Sequence, residues 1–397
     1  MRIAKSSEFE PKHLLSSEQI KLGSFYTPRK IVDIVHRLIK VYKNYPKAVI
    51  FDNAAGAGAF IKTEDKIVYK AAECDPIAGR FLKEKMSQNN LFIENSISNV
   101  NREKYNIARS DFLIQIGNPP YNDTTSVYRN GQKGKNICDA DLFDRDLGIS
   151  FLKSYNKLQS NIVCVLHPLS YLIKESNFKR LQPFSKNYRL KKGILFSSSL
   201  FQNVSNMSFP IVIALYKKNP KGMKYNDIQN FKFSIIESKK AFRLNNYVNV
   251  DSFIRKYPPR KADVQISDIG IYYHTFRDIN SLIRNRGFHI QKGRHSIVVN
   301  LKDFYKYAYI YSFKRLFRPE DMWMYGNLSP LGHKQLIEDN KKLFLIYTFL
   351  SEKKIFFQLE NKVMSRILKF YSIKNNELQN LSQIKKSIFS LINSLVF

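Results

Sequence analysis

The segment Gly117-Asn118-Pro119-Pro120-Tyr121 contains the residues of this sequence that are best suited to chemistry. It directly follows the apolar run Phe112–Ile116, and two consecutive prolines cannot continue a central strand, so they predict a rigid loop where that strand ends. In this loop the Asn118 side-chain oxygen and the Pro119 carbonyl can each accept one hydrogen of an amino group. Two fixed acceptors localise the lone pair of the amino nitrogen and direct it toward an electrophile. Adenine N6 requires such help, because its lone pair is delocalised into the ring. A proline-rich turn with an aromatic anchor at Tyr121 is the simpler alternative.

A glycine-containing turn follows an earlier apolar run, Ala48–Phe51, and begins at Asp52. Glycines at positions 56 and 58 allow the backbone to approach a ligand closely. About twenty residues further on, a second predicted strand ends at Glu73, where Rossmann-like sheets place a carboxylate against ribose hydroxyls. A Gly-x-Gly turn with a later Glu also occurs in dehydrogenases and in ordinary turns, so this pair alone indicates a nucleotide-like ligand only weakly.

The segment Gly23-Ser24-Phe25-Tyr26-Thr27-Pro28 lies upstream of that turn, at the start of a predicted helix over Pro28–Tyr42. A threonine cap followed by proline in the first turn is typical of a helix start. Because a capped helix N-terminus can bind a carboxylate, the segment is a candidate anion site. An ordinary capped helix explains it equally well.

The elements that position these residues follow an alternating pattern. Between about residues 47 and 217, short apolar runs bounded by turn residues alternate with amphipathic stretches, which predicts a doubly wound α/β sheet. The predicted strands are Ala48–Phe51, Ile67–Tyr69, Leu91–Ile93, Phe112–Ile116, Ile162–Leu166 and Ile211–Leu215. The polar stretch Asn122–Asp139 is too hydrophilic for a core and predicts a mobile loop.

A change of pattern at Asn219–Gly222 predicts a domain boundary, with domains over residues 1–220 and 221–397. Segments beyond the boundary are rich in tyrosine and basic residues, as in Tyr257-Pro258-Pro259-Arg260-Lys261, and residues from Lys341 onward follow a helical pattern.

The chain is strongly basic, with 65 Lys and Arg against 33 Asp and Glu and a formal net charge of +32. Such a field predicts an anionic partner, and nucleic acid is the leading candidate. A lysine-rich proteome would normally raise Glu together with Lys, and here the acidic residues are too few. Cys74, Cys138 and Cys164 lack the spacing of a disulfide framework or a zinc site, so no metal is expected. Without a long apolar run we expect a soluble, cytoplasmic protein with no membrane contact.

The ordered set of motifs resembles the N6-adenine DNA methyltransferases of restriction-modification systems, in their γ arrangement. The resemblance covers roughly residues 21–217 and includes two further segments, His167-Pro168-Leu169-Ser170-Tyr171 and Phe209-Pro210-Ile211-Val212-Ile213. It implies a Rossmann-like class I methyltransferase sheet with helices on both faces and a C-terminal mixed α/β target recognition domain. It further implies S-adenosylmethionine as methyl donor, double-stranded DNA as substrate, adenine flipped out of the duplex, and a cognate restriction endonuclease as a further partner.

The resemblance also implies roles for individual residues. Asn118, Pro119, Pro120 and Tyr121 would form the catalytic loop, and Tyr121 and Phe209 would stack on the flipped base, although a buried strand-edge Phe is a simpler account of Phe209. Contacts to the donor would come from Thr27, Asp52, Asn53, Ala54, Gly56, Gly58, Glu73, Cys74, Asn95, Ser96 and Asn118. Where the family usually has an acidic residue after the third strand, Asn95-Ser96 stands here. Asn95 can still accept from the donor's adenine amino group, but without charge.

Basic residues beyond position 220 are candidates for DNA contact: Arg284, Arg286, Lys292, Arg294, Lys314 and Arg315. Tyrosines interleaved with bases around Tyr305–Tyr311 suit base stacking, and an aromatic core under a solvated basic surface explains them equally well. Other functions share the catalytic loop, namely adenine methylation in RNA and glutamine methylation in proteins. A DNA-binding specificity subunit with a relic methyltransferase core is the alternative outside enzymes.

Overall fold

The computed structural model describes residues 27–62, 66–121, 138–201, 209–236, 241–248, 250–258, 266–316 and 332–395. The predicted anion-binding segment before Thr27 and nearly all of the predicted loop Asn122–Asp139 lie outside these ranges. The chain forms two compact units, Met1–Ala241 and Phe242–Phe397. The first unit extends past residue 220 because the strand Phe233–Ile235 joins its sheet.

Unit 1 alternates strands and helices, as the sequence predicts. Its strands are β1 (Ala48–Asp52), β2 (Val68–Glu73), β3 (Leu91–Ile93), β4 (Phe112–Gly117), β5 (Ile162–Pro168), β6 (Tyr188–Ser197), β7 (Pro210–Lys218), β8 (Phe233–Ile235) and, at the boundary, β9 (Ala241–Phe242). Its helices are α1 (Arg29–Ile39), α2 (Pro76–Lys85), α3 (Leu147–Lys157), α4 (Ser170–Ile173), α5 (Glu175–Arg180), α6 (Phe184–Asn187) and α7 (Tyr225–Gln229). All six predicted strands are present, and β6, β8 and β9 are additions to them.

The nine strands form one sheet in the order β3-β2-β1-β4-β5-β7-β6-β8-β9. Strands β3, β2, β1, β4 and β5 are parallel, and β7 lies antiparallel between β5 and β6. The parallel half forces the chain to cross over the sheet between strands, which is why helices alternate with strands there. Both faces are therefore covered, and the strands read as nearly continuous apolar runs.

The two faces of the sheet have separate cores. On one face Ile50, Ile114 and Cys164 are fully buried together with α1, which supplies Ile31 and Val35. These helix positions are four residues apart, so they lie on the same side of the helix. On the other face, Phe51 packs on Tyr105 with ring centroids 4.6 Å apart. The α/β sheet of the predicted class is thus confirmed.

Unit 2 has short strands and a larger helical part. Its strands are β10 (Tyr247–Val248), β11 (Ile271–His274), β12 (Phe288–His289), β13 (Ser296–Val299) and β14 (Gly332–His333). Its helices are α8 (Val250–Phe253), α9 (Ile279–Arg284), α10 (Phe304–Leu316), α11 (Lys334–Asp339), α12 (Lys341–Ser351), α13 (Lys353–Phe356), α14 (Asn361–Phe370) and α15 (Leu381–Leu395). An antiparallel sheet in the order β12-β11-β13 and a two-stranded pair, β10-β14, are its strand pairings.

Helix α10 forms the centre of unit 2 and explains the tyrosine-rich segment. Tyr305, Tyr307, Tyr309 and Tyr311 are all buried. The hydroxyls of Tyr305 and Tyr311 donate to the carboxylates of Glu338 and Glu352, so their polar ends are satisfied inside the core. These tyrosines are core residues, and the interpretation of them as exposed stacking platforms is wrong for this helix.

Candidate active site

The predicted site residues meet at one edge of the sheet. Strand β1 lies between β2 and β4, and in register Asp52 pairs with Ala71 on one side and with Ile116 on the other. Because all three strands are parallel, their carboxyl ends share an edge. The glycine turn after β1, Glu73 at the end of β2 and Asn118 after β4 are thus brought to the same edge.

The glycine turn is closed by Glu73. Gly56 and Gly58 have positive φ angles of 55° and 78°, a conformation that other residues rarely adopt. The Gly56 N–H donates to Glu73 Oε2 at 2.7 Å, and Glu73 Oε1 accepts from the Asp75 N–H at 2.8 Å. A β-carbon at Gly56 would meet nothing within 4 Å, so the turn presents backbone to open space. Each Glu73 oxygen keeps a further lone pair for a ligand.

Asp52 is a buried carboxyl group, with only 1% of its surface exposed. Its Oδ1 accepts from the Ala54 N–H at 3.1 Å, whereas Oδ2 is buried without a hydrogen-bond partner among the described residues. Burial raises the pKa of Asp52 to about 7, and the charge of nearby Glu73 acts in the same direction. Such an oxygen is suited to a cationic or hydrogen-donating ligand.

The loop after β3 contacts the turn after β1. The Ser96 hydroxyl donates to the Asn53 carbonyl, and the Tyr105 hydroxyl donates to the Ser96 carbonyl at 3.1 Å. Asn95 is exposed, and its Oδ1 accepts from the Ile97 N–H at 3.1 Å. Sequence reasoning overlooked Glu94, an acidic residue directly after β3. Its carboxylate lies 3.4 Å from Lys104 Nζ.

The predicted catalytic loop is held by hydrogen bonds to both polar atoms of the Asn118 side-chain amide. Asn118 Nδ2 donates to Thr27 Oγ1 at 3.2 Å, and Asn118 Oδ1 accepts from the Tyr121 hydroxyl. Thr27 is buried and lies just before α1, so helix α1 and strand β4 jointly fix the amide. The N-cap residue of α1 is Pro28 and not the predicted Thr27, whose hydroxyl accepts from Asn118. The hydrogen bond between Asn118 and Thr27 gives Thr27 a defined partner within the chain, which differs from the predicted role of this segment as an anion site.

Residues of α3 pack against the turn after β1, where Asn53 Nδ2 donates to Ser154 Oγ at 3.4 Å. The buried Tyr155 hydroxyl, also from α3, lacks a hydrogen-bond partner within the described ranges. Burial raises the pKa of Tyr155 well above its usual range, and the negative charge of Asp52 acts in the same direction. Tyr171 donates to Asp146 and stacks on His167 with centroids 5.3 Å apart. His167 and Tyr171 belong to a segment that the resemblance includes, whereas no motif predicted Asp146 or Tyr155.

The remaining predicted residues have simpler surroundings. Phe209 is half-buried against the core beside β7, and its N–H donates to Ser198 Oγ at 2.9 Å. Cys74 is exposed. In unit 2, Lys314 Nζ donates to the Asn285 carbonyl. Arg315 bonds Tyr311 and lies 3.3 Å from Glu352.

The other four predicted DNA contacts, Arg284, Arg286, Lys292 and Arg294, have exposed side chains. In the part of the chain that is described, no cluster of three or more His, Cys, Asp or Glu is placed to hold a metal ion. Among the same residues, no helix is both long enough and apolar enough to cross a membrane.

The order β3-β2-β1-β4-β5-β7-β6 with an antiparallel β7, and the site at its carboxyl edge, define a class I S-adenosylmethionine-dependent methyltransferase fold. Within that class, residues 12–176 match the model of the N-6 DNA Methylase family. This match agrees with the resemblance to N6-adenine DNA methyltransferases over this part of the chain. A comparison with curated proteins finds no match in sequence.

Solved structures that resemble this chain include a protein from Vibrio vulnificus YJ016 described as a modification subunit of a type I restriction enzyme. That match has 16% identity and a TM-score of 0.39, and it covers 58% of this chain and 51% of the other. A type I restriction-modification methyltransferase subunit from Streptococcus thermophilus matches with 16% identity and a TM-score of 0.37, over 53% of this chain and 46% of the other. The matched part spans about half the length of these two subunits. The fold assignment rests on the strand order itself.

Proposed function

We propose that this chain transfers the methyl group of S-adenosylmethionine to N6 of adenine in duplex DNA, as the modification enzyme of a restriction-modification system. The observation that carries the proposal is the Asn118 amide, held between Thr27 and Tyr121 beside the glycine turn. The family match over residues 12–176 supports the same chemistry. Unit 1 would then be the catalytic domain and unit 2 the DNA target recognition domain, with duplex DNA and a cognate endonuclease as partners.

The residues at the sheet edge fit this donor. The unpartnered Oδ2 of Asp52 suits the donor's ammonium group, and Glu73 has lone pairs left for ribose hydroxyls. The open space in front of Gly56 lets the backbone approach the ligand. When bound, S-adenosylmethionine supplies a methyl group on a positively charged sulfur, which is the electrophile. Asn95 and Ser96 would face its adenine end.

The catalytic loop would act by accepting hydrogen bonds. Asn118 Oδ1 and the Pro119 carbonyl each accept one hydrogen of the adenine amino group, which directs the nitrogen lone pair at the methyl carbon. The N–C bond forms while the C–S bond breaks and its electron pair leaves with the sulfur. The nitrogen then releases one proton to solvent. Tyr121 donates to Asn118 Oδ1, and because this oxygen has two lone pairs it can accept from the adenine amino group at the same time.

Three variants test this role: Asn118→Ala, Tyr121→Phe and Tyr121→Ala. Asn118→Ala removes the acceptor, and we expect the single-turnover methylation rate to fall by about a hundredfold or more, in line with the loss of a preorganised hydrogen-bonding group. Tyr121→Phe keeps the ring and only vacates the acceptor, so its rate should stay within about tenfold of the wild-type rate, whereas Tyr121→Ala loses the stacking face.

The measurement is transfer of labelled methyl groups to duplex DNA, with donor affinity measured separately by calorimetry. Single-stranded and duplex RNA of the same sequence serve as alternative substrates. Wild-type rates in Asn118→Ala with intact donor binding contradict the mechanism, and faster transfer to RNA than to DNA contradicts the proposed substrate.

A further inference from the structure

One face of the three-stranded sheet in unit 2 carries a row of four rings. Tyr272 stacks on His289 with centroids 6.0 Å apart and an interplanar angle of 23°. His289 packs edge-on against His274 at 6.4 Å, and His274 stacks on His295 at 6.0 Å and 25°. These residues come from β11, β12 and the end of the turn before β13. We call these four residues the histidine face, of which Tyr272 is buried with 5% of its surface exposed.

The alternation of the strands separates this surface from the core. Tyr273, the neighbour of Tyr272 and His274 in β11, points to the opposite side, where it packs on Phe288 and Tyr307 at 4.9 and 5.5 Å. The histidines are therefore not needed to fill the core. His295 is exposed, and His274 and His289 are half-buried.

The surroundings of the histidine face are basic. No Asp or Glu occurs between Asp278 and Asp303, a stretch that contains Arg284, Arg286, Lys292 and Arg294. The charged groups on the elements around the face are Arg286, Lys292, Arg294, Arg277, Lys256 and Asp278. Asp278 is paired with Arg277 at 2.9 Å, so it does not neutralise the other four cations.

Two of the three histidines are held in defined hydrogen bonds. His274 Nδ1 lies 3.0 Å from the Thr275 carbonyl, to which it donates. His289 Nε2 lies 2.8 Å from the Ser296 hydroxyl. Burial lowers the pKa of His289, and His274 and Arg286 lower it further, so this ring is neutral at pH 7 while no anion is nearby.

We infer that the histidine face binds the phosphodiester backbone of DNA, and that its histidines take up protons as they bind. The inference rests on the proposed function, to which it adds the surface of unit 2 that meets the substrate. A phosphate group near neutral imidazoles favours their protonated form, and a basic rim without free carboxylates complements a polyanion. Binding linked to proton uptake strengthens as the pH falls, because the bound state holds more protons than the free state.

The test measures dissociation constants of the full chain for a labelled duplex at pH 6.0 and pH 8.0, at constant ionic strength. We expect binding to be about tenfold tighter at pH 6.0, which corresponds to an average uptake of about half a proton over these two pH units. The triple variant His274→Gln, His289→Gln, His295→Gln should reduce this ratio to about twofold or less. His333→Gln, a histidine outside the face, is the matched control and should keep the wild-type ratio.

A second measurement guards against a purely structural effect of the triple variant. Histidine NMR titrations of the wild-type protein, with and without duplex, should show that the protonation midpoints of the three rings rise on DNA binding. The inference is overturned if the protonation midpoints do not change on DNA binding. It is also overturned if the triple variant keeps the wild-type ratio of the dissociation constants at pH 8.0 and pH 6.0. A histidine-dependent pH response that appears with anionic phospholipid vesicles and not with DNA overturns it as well.

Failure of this inference is distinguishable from failure of the proposed function. If methylation depends on Asn118 but DNA binding does not depend on the histidines, only the inference about the histidine face is overturned. Histidine-dependent DNA binding without methylation of any duplex overturns the catalytic proposal alone.

Discussion

Burial of Asp52 in the folded protein disfavours the charged form of its carboxyl group. In the unfolded chain its carboxyl group has an ordinary pKa near 3.8, and burial raises the pKa to about 7 in the folded protein. Between these values the folded state holds a proton that the unfolded state has released. The free energy of unfolding therefore falls as the pH rises from about 4 to about 7, and the full loss persists above pH 7. Because the charged form of Asp52 lowers the free energy of unfolding, we expect this residue to be present for the binding of a ligand.

Asp52→Asn should separate these two effects. Because the amide has no charge to desolvate, the variant should be more stable than wild type at pH 8, by on the order of 2 kcal/mol, and nearly equal to it at pH 4. Affinity for S-adenosylmethionine should fall at least about tenfold, since an amide pairs weakly with an ammonium group. Thermal unfolding at both pH values and calorimetric titration measure these changes.

Asp33→Asn is the control, because Asp33 is exposed and forms only a surface pair with Lys62 at 3.6 Å. It should change neither stability nor donor affinity. If Asp52→Asn were destabilising at pH 8, or bound the donor with wild-type affinity, the role given to this carboxyl would be wrong.

At the scale of elements, the end of β4 is fitted tightly against the end of β1. Gly117 has a φ of 139°, and a β-carbon there would lie 2.6 Å from Asp52 Oδ1. Both the backbone conformation and the close contact require glycine. The position of the catalytic loop and the position of the Asp52 carboxyl are thus set together.

Gly117→Ala should consequently disturb both groups. We expect a loss of about 2–4 kcal/mol in the free energy of unfolding, because backbone strain adds to steric overlap with a buried side chain. Gly56→Ala is the matched control: it has a φ of 55° but open space around the added carbon, so a loss of only about 1 kcal/mol is expected. Chemical denaturation measures both, and equal losses would show that the contact with Asp52 does not matter.

The sequence predicted those elements in which the run of apolar residues is not interrupted by charged residues. The buried parallel strands appear as apolar runs, and the Asn118-Pro119-Pro120-Tyr121 loop is marked by its prolines. Strand β6 was missed because Lys191 and Lys192 interrupt its apolar run, at the place where the register with β7 shifts. The sequence left two accounts of the tyrosines of α10 open, and the structure confirms the aromatic core, because the tyrosines are buried and the helix has almost no polar face.

The candidate site was predictable only where its residues follow strand ends. Asp52, Glu73 and Asn118 each close a strand, so the topology of a parallel sheet brings them together. Tyr155 and the Asp146–Tyr171 pair lie on helices, and only packing brings them near the loop. Their positions depend on how helices dock on the sheet, which spacing along the chain does not encode.

At the scale of the whole molecule, the surplus of positive charge is distributed over both units, since each has more Lys and Arg than Asp and Glu. Charge alone therefore does not assign DNA contact to unit 2. Individual side chains differ in their surroundings. Lys314 is half-buried and donates to the Asn285 carbonyl, Arg315 is exposed and lies 3.3 Å from Glu352, and Arg284, Arg286, Lys292 and Arg294 are exposed.

This difference predicts how salt should act on DNA binding. For a protein with a net charge of +32, we expect affinity for duplex DNA to fall about tenfold to a thousandfold over a fourfold rise in salt, because bound counterions are released from the phosphates. Replacing the four exposed residues by Gln should make the log–log slope shallower by up to about 0.9 per lost phosphate contact. Lys314→Gln is the control and should leave the slope unchanged, because that ammonium donates to the Asn285 carbonyl. Fluorescence anisotropy at several salt concentrations measures these slopes. A salt-independent affinity, or a slope that responds to Lys314 and not to the exposed group, would contradict this assignment of the DNA-binding surface.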